Sequence, residues 1–389
     1  MGSINLDNTG SGGAVTLTSD GTSLLLGGTA VGGAPDLYAA NPVSAEAPTA
    51  RANNSVAIGS SADTYSNDTI AIGTDTIASG ASSSAVGHLA KTNSTYAGAF
   101  GYNSLATHQG AIALGNSQAS GQNSFATVIS NNTTSYGATG ANSIAIGYQS
   151  KSTGNYTVAI GSAEATGSDY SVSMGYRARS ASHSTVAIGR EAGLAGCGSS
   201  SISIGHAASS AGGDSLAIGY SVIANASNSV AIGRHATVGG IIGKYAFAND
   251  YISNGGDAQQ GTYVLHVSTT NATAIALTST GTAATTNNQV NLQNNSAYAF
   301  HGTIVARQKT SEGTASAAWK VEGLIRREAN AGTTVLVNSA TTVLDNTPSW
   351  GMALTANTSH GGLAITVTGA ASTNIRWVAT INTSELIYA

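Results

Sequence analysis

Charged residues are scarce in this sequence, because Asp, Glu, Lys and Arg make up only 8% of its 389 residues. Typical soluble domains carry roughly a quarter. Disordered chains usually have high net charge, whereas the formal net charge here is -4 and Val, Ile and Thr are abundant. With 14 Lys and Arg, the chain has no basic surface to neutralise a run of phosphates, so we expect no nucleic-acid partner. The composition favours an ordered, β-rich protein.

Long apolar runs and cysteine are also rare. The run Ser23-Leu24-Leu25-Leu26 and its neighbours fall far short of the ~20 residues of a spanning helix, so we expect no membrane insertion. The single cysteine, Cys197, excludes an internal disulfide framework. No Lys or Arg precedes Arg51, so the N-terminus lacks the charged region of a secretory signal, and we expect the chain to begin near Met1.

A five-residue phrase organises the middle of the chain, and its clearest copy is Ser55-Val56-Ala57-Ile58-Gly59. Most copies are 14 residues apart, and a degenerate copy around Phe125 to Ser130 fills the longest gap. A short fixed period of this kind predicts a stack of identical coils. The closing glycines are Gly59, Gly73, Gly87, Gly101, Gly115, Gly147, Gly161, Gly175, Gly189, Gly205, Gly219 and Gly233.

Within the phrase, strand alternation sends the Val and Ile positions to one face and the Ala and Gly positions to the other. The Ile column is apolar at every rung, and we predict that it forms the inner core of each coil. Alanine is a poor strand former, so its recurrence indicates that small size matters. We predict that a neighbouring subunit packs against the small residues, namely Ala57, Ala71, Ala85, Ala99, Ala113, Ala145, Ala159, Ala187, Ala217 and Ala231.

The Ser-Val-Ala-Ile-Gly phrase at 14-residue spacing resembles the head repeats of trimeric autotransporter adhesins. The resemblance covers residues 55–233 and implies a left-handed parallel β-roll wound as a homotrimer. Outside these residues the chain departs from that family, since it shows neither a secretion signal nor a coiled-coil stalk. A bacterial trimeric adhesin is therefore a less favoured interpretation.

Other stretches resemble phage proteins. Four of them look like a C-terminal domain of phage tail-fibre and related virion proteins, and the N-terminal stretch Ile4-Asn5-Leu6-Asp7-Asn8-Thr9-Gly10 looks like the start of phage structural proteins, particularly from cyanophages. This resemblance implies a virion component that is assembled in the host cytoplasm. The four stretches are Lys244-Tyr245-Ala246-Phe247-Ala248, Gly256-Asp257-Ala258-Gln259, Asn295-Ser296-Ala297-Tyr298-Ala299-Phe300 and Asn374-Ile375-Arg376-Trp377-Val378.

We therefore predict an all-β chain, a trimeric β-roll followed by an antiparallel β-sandwich of jelly-roll type. Five segments are expected. They are a β-hairpin for virion attachment at 1–33, a linker or cap containing Pro35, Pro42 and Pro48 at 34–54, the repeat shaft at 55–233, a neck or cap at 234–262 and a C-terminal β-sandwich and candidate receptor-binding tip at 263–389.

Catalytic and metal-binding motifs are missing from the sequence. No pair of its eight histidines has the short spacing of a metal motif, and there is no Gly-x-Ser-x-Gly elbow. His88 and His206 follow repeat glycines, where an ion or sugar site is one interpretation and solvated turn residues the favoured one. Glu312, Glu322, Glu328 and Asp345 have basic neighbours that favour structural pairing. We expect no enzyme, metal or cofactor.

Three tryptophans, Trp319, Trp350 and Trp377, are the candidates for stacking on a glycan, although aromatic residues of small sandwiches usually belong to the core. The resulting hypothesis is a structural subunit of a homotrimeric phage tail fibre that attaches to host polysaccharide through its C-terminal domain. Its N-terminus would contact another virion protein. The alternatives are a capsid fibre or spacer without a receptor, and a depolymerising tailspike, which needs two carboxylates at one bond.

Overall fold

The computed structural model describes residues 46–128, 136–167 and 169–388, together with four N-terminal strands. The chain divides into two compact units, Met1–Gln149 and Ser150–Ala389. Pro35 and Pro42 of the predicted linker, and Ile129 and Ser130 of the degenerate copy, lie outside the described residues. The N-terminal strands are β1 (Ile4–Leu6), β2 (Val15–Ser19), β3 (Leu24–Leu26) and β4 (Thr29–Ala30), and they form one antiparallel sheet in which β2 pairs with β3.

In the first unit each coil contributes one longer strand and one two-residue strand, and the two kinds form separate parallel sheets. Equivalent residues stay in register, so Ala71 pairs with Ala57 below and Ala85 above. The longer strands are β6 (Val56–Ile58), β8 (Ile70–Ile72), β10 (Ser84–Val86), β12 (Gly98–Phe100), β14 (Ile112–Gly115), β16 (Phe125–Val128) and β18 (Ile144–Ile146). The short strands are β5 (Thr49–Ala50), β7 (Asp63–Thr64), β9 (Ile77–Ala78), β11 (Lys91–Thr92), β13 (Leu105–Ala106), β15 (Gln118–Ala119) and β17 (Gly137–Ala138).

The second unit begins with coils of the same design. Its short strands are β19 (Lys151–Ser152), β21 (Glu164–Ala165) and β23 (Arg179–Ser180). Its longer strands are β20 (Val158–Ile160), β22 (Val172–Met174), β24 (Val186–Ile188), β25 (Ile202–Ile204), β26 (Leu216–Tyr220), β27 (Val230–Arg234) and β28 (Tyr245–Ala248). They pair in parallel from β20 to β28, and β28 then pairs antiparallel with the first strand of the C-terminal region.

Each regular coil has two turns, and the backbone repeats every seven residues rather than every 14. Asn54, Ser61 and Asp68 all have a positive φ, at 55°, 55° and 60°. Ser and Asn are the commonest non-glycine residues with a positive φ in the described part of the chain. Short polar side chains tolerate the left-handed conformation better than most, which explains their selection. The 14-residue period is visible in the sequence, whereas this half-period was not predicted.

The two faces of the longer strand are separated as predicted, but inside and outside are reversed. Ala71 and Ala85 are fully buried within a single chain, where they face the short-strand residues Ala78 and Thr92, also fully buried. The two strands of one coil lie so close that only small side chains fit between them. The prediction of a subunit contact through Ala57, Ala71, Ala85, Ala99, Ala113, Ala145, Ala159, Ala187, Ala217 and Ala231 is therefore wrong.

Two rungs place serine instead of alanine inside the coil. The Ser173 hydroxyl lies 2.6 Å from the Ser180 hydroxyl and donates to the Glu164 carbonyl at 2.7 Å. Ser203 makes the same 2.6 Å contact with Ser210. Each buried hydroxyl thus has a partner, so these rungs avoid the cost of an unsatisfied polar group.

The repeat glycine lies at a close approach between successive coils. Gly219 has a φ of +133°, and a Cβ at this position would collide with the Gly233 carbonyl oxygen. We expect Gly219→Ala to lower the free energy of unfolding by about 1–3 kcal/mol, measured by chemical denaturation. Gly213 is the control, because the nearest atom to its Cβ would be the Ser199 carbonyl oxygen at 3.9 Å. Equal losses in the two variants would contradict this explanation.

The C-terminal region is an antiparallel β-sandwich. One sheet has the order β29-β37-β32-β33-β34, and in the other β36 pairs with β35 on one side and with β30 and β31 on the other. The strands are β29 (Ala258–Thr269), β30 (Ile275–Ala276), β31 (Val290–Asn291), β32 (Ser296–Gln308), β33 (Ser316–Arg327), β34 (Val335–Asp345), β35 (Gly351–Asn357), β36 (Gly362–Thr368) and β37 (Ile375–Ile387), with one 3₁₀ turn at Ala331–Thr333.

Buried residues of both sheets form one apolar core. Tyr263, Ile304 and Trp377 of the larger sheet and Leu363 and Ile365 of the smaller are at most 1% exposed. The predicted fold class, a stack of β coils followed by antiparallel sheets, is confirmed. Among the described residues no helix is long or apolar enough to cross a membrane.

Candidate functional site

The outward face of the coils is the largest candidate for interaction. It carries the Val and Ile columns, and every residue of these columns except Gly98 is partly or largely exposed in the single chain. Val56 is 43% exposed and Ile112 is 40% exposed. The predicted inner core of Ile residues is therefore an outer apolar surface. Contiguous apolar surfaces of this kind mark protein contacts more often than free surface.

In the second unit this face passes into the C-terminal sheet and becomes polar. Ile232 pairs with Phe247 on β28, and Phe247 pairs with Gln260 on β29. Phe247 is 42% exposed, and the outward residues that follow on β29 begin with Gln260 and include Thr262. The strongly apolar part of the face thus ends near β28.

Aromatic rings stack along one row of turns in the second unit. Ring centroids are 4.8 Å apart between His206 and Tyr220, 5.2 Å between Tyr220 and His235, and 4.5 Å between His235 and Tyr251. The guanidinium of Arg234 lies over Tyr220 at 5.3 Å. His206 therefore contacts a ring of the next coil, and the described residues contain no group of three or more potential metal ligands.

The three candidate tryptophans are in the core. Trp319, Trp350 and Trp377 are 3%, 5% and 0% exposed, and the rings of Trp319 and Trp350 lie 5.8 Å and 5.7 Å from that of Trp377. The Trp377 indole N–H donates to the Thr269 hydroxyl at 3.0 Å. These tryptophans are therefore not available to stack on a glycan at the surface, because all three pack inside the sandwich.

The four acidic residues named from the sequence do not form a pair of catalytic carboxylates. Glu322 lies 3.6 Å from Lys320, and both side chains are 56% exposed. Glu328 accepts from Arg326, Glu312 accepts from Asn374, and Asp345 accepts from Thr347. Each carboxylate has a local partner of its own.

A buried polar network near the last coil was not found from the sequence. Lys244 donates to Glu385 Oε2 at 2.6 Å, and the two side chains are 2% and 0% exposed. The same carboxylate accepts from Gln259 (2.7 Å), Tyr263 (2.7 Å) and Thr383 (2.9 Å). Burial raises the pKa of Tyr263 well above its ordinary value, and the charge of Glu385 raises it further. The network links β37 to the segment that precedes β28.

A cavity of about 630 Å³ lies beside this network, within the second unit. Its walls include Lys244, Asp257, Arg327 and the amides Asn254 and Asn294. Burial by itself would raise the pKa of Asp257, but main-chain N–H groups, including that of Asn254, hold it below its ordinary value. The side chains of Asn254 and Asn294 are exposed and have no hydrogen-bond partner in the described part of the chain. Their amides can bind hydroxyl groups.

The cavity was not predicted from the sequence, because its residues come from separate segments between positions 237 and 387. Arg327 donates to the Leu292 carbonyl at 2.6 Å, while its Nε is buried without a partner among the described residues. The phage-like stretches were the nearest signal in the sequence, since five of their residues line the cavity, namely Lys244, Asp257, Gln259, Asn295 and Tyr298.

Three ranges within the coils match a known family model. Residues 66–90, 93–117 and 138–163 match the family described as YadA head domain repeat. The coils are similar to YadA head repeats. No curated protein matches the chain. One solved structure that matches is a tailspike protein gp49 from Acinetobacter baumannii bacteriophage Fri1, described as a capsular polysaccharide depolymerase. The match covers 86% of this chain and 70% of the tailspike chain. The identity is 10% and the TM-score 0.24, too low to support an argument.

Proposed function

We propose that this protein is a structural, non-catalytic subunit of a homotrimeric phage tail fibre. Its N-terminal segment attaches to another virion protein, the coils form the shaft, and the C-terminal sandwich contacts host-surface polysaccharide. The fibre is assembled in the host cytoplasm as part of the virion.

The outward Val and Ile columns carry the trimer proposal. They are exposed on one chain, with Ile70 at 38% and Ile202 at 38%, and burying apolar area stabilises an assembly by about 25 cal/mol per Å². A neighbouring copy covers these columns most directly, since identical coils present identical rungs to each other. The similarity to YadA head repeats supports an assembly of three copies.

The phage assignment rests on the resemblance of the N- and C-terminal stretches to phage structural proteins. Immunogold labelling of purified particles, with antibody raised against this protein, tests it. We expect label on the tail. Label on the capsid would support the alternative of a head fibre, and particles without label would refute the virion assignment.

We assign the proposed glycan contact to the cavity lined by Asn254 and Asn294. We expect the full-length double variant Asn254→Ala/Asn294→Ala to bind host cells about tenfold more weakly, because two hydrogen bonds of about 0.5–1.5 kcal/mol each are lost. Binding of fluorescently labelled protein to cells measures this. Ser311→Ala, an exposed loop residue away from the cavity, is the control.

Equal binding by the double variant and the wild type would refute the cavity as the contact site.

Incubation of the protein with purified host polysaccharide tests the non-catalytic role. We expect no new reducing ends, and their release would instead support a depolymerising tailspike.

A further inference from the structure

The edge strand β34 is unusually exposed. Ten of its 11 residues are exposed, on both faces, and Leu336 alone is partly buried. In the described part of the chain, β34 pairs along one edge only, with β33. Alternate main-chain N–H groups of an antiparallel strand face away from its partner, so the other edge of β34 presents donors and acceptors that no second strand of the described chain satisfies. Within β34 the Ser339 N–H donates to the Asn338 side chain at 2.8 Å.

The usual protections of an edge strand are largely missing here. Natural edges carry Lys, Pro or other charges that prevent pairing with a second chain. From Val335 to Leu344 there is no charged residue and no proline. Two register shifts against β33 leave Val337 and Leu344 as extra residues at either end of a regular stretch, and these are 48% and 59% exposed. Bulges do discourage pairing, but here they add apolar contacts at both ends.

The chemistry of the strand indicates what covers it. An uncharged strand edge flanked by Val337 and Leu344 has nothing to attract a charged polymer, whereas the backbone of another protein satisfies its free N–H and C=O groups. The hydrogen-bonded ladder from β27 through β28, β29, β37, β32 and β33 ends at β34. The sheet that carries the outward Val and Ile columns in this unit therefore includes the exposed edge as its last strand.

We propose that β34 docks against a second copy of this chain, adding to a sheet or groove of the neighbouring subunit through its free edge. This inference rests on the proposed homotrimer. Contacts between neighbours around a three-fold axis are heterologous, so the free edge of β34 cannot pair with the same edge of its copy and must pair with a different segment of the neighbour. Residues 338–343 supply the backbone pairing, and Val337 and Leu344 supply apolar anchors.

Hydrogen exchange of the full-length protein, together with its mass by light scattering, tests this proposal. We expect a mass of three chains and slow exchange at all amides of residues 338–343, including those that do not donate to β33. In Val337→Lys/Leu344→Lys the mass should stay at three chains, because the coils hold the assembly. Its outward amides should exchange about 100-fold faster.

Ile252→Lys is the matched control, since Ile252 is 70% exposed and lies outside β34. It should leave exchange in β34 unchanged. Three chains with fast outward amides in the wild type would overturn the docking of β34 while the proposed trimer stands. A mass of one chain would overturn both, and a mass of two chains with slow outward amides would support docking between copies but overturn the trimer.

Discussion

Glu385→Ala is expected to destabilise the C-terminal region by about 3–5 kcal/mol, because it leaves a buried ammonium without its counter-ion. The Lys244 side chain is 2% exposed and donates to Glu385 at 2.6 Å. Gln259, Tyr263 and Thr383 would lose the same acceptor. Urea denaturation followed by tryptophan fluorescence measures the loss, since Trp377 and its neighbours lie in this core.

Glu322→Ala is the matched control for this prediction. Glu322 and Lys320 form an ion pair with both side chains 56% exposed, and such pairs contribute about 0–1 kcal/mol. Lys244→Met/Glu385→Leu should recover part of the stability lost in Glu385→Ala, because it removes both charges together. Similar losses for Glu385→Ala and Glu322→Ala would show that the buried network does not stabilise the region.

Ile188→Asp/Ile204→Asp is expected to convert the proposed trimer into single chains. The two residues pair on adjacent strands of the outward face and are partly exposed in one chain. Aspartate is tolerated there in a free chain, but at a subunit interface each unpaired carboxylate must be desolvated, at a cost of several kcal/mol. Light scattering should give one-third of the wild-type mass, with an unchanged circular dichroism spectrum.

Leu194→Asp is the control for assembly. Leu194 lies between the two isoleucines in sequence, is 36% exposed and occupies a turn instead of the strand face. The mass of the Leu194→Asp variant should equal that of the wild type. A variant at Ile188 and Ile204 that keeps the wild-type mass would show that the outward face is not the interface.

The sequence predicted the coils but assigned their two faces the wrong way round. Alternation separates alanine from valine and isoleucine, and it does not decide which face is inside. That depends on the width of the coil, which the facing strand limits through small residues such as Thr64 and Thr92. A signal existed, because these small residues recur seven positions after the alanines, next to the turns with positive φ.

The candidate site could be predicted only in part. Lys244 and Glu385 are 141 positions apart, and no local pattern pairs residues at that separation. Their meeting depends on β28 pairing with β29 and β29 with β37. The tryptophans failed as surface candidates for a related reason. Trp319 and Trp377 lie on strands whose alternation shows two faces, but the covering sheet, β36 with its partners, decides which face is buried.

The in-register pairing of Ala57, Ala71 and Ala85 also bears on how such a chain changes length over evolution. Deletion or duplication of the gene segment that encodes one 14-residue coil leaves the same ladder of strands, since each coil presents the same contacts above and below. Every such event changes the length of the stack of coils by one strand spacing, ~4.8 Å, without requiring new packing. Selection can therefore adjust the number of coils in small uniform increments.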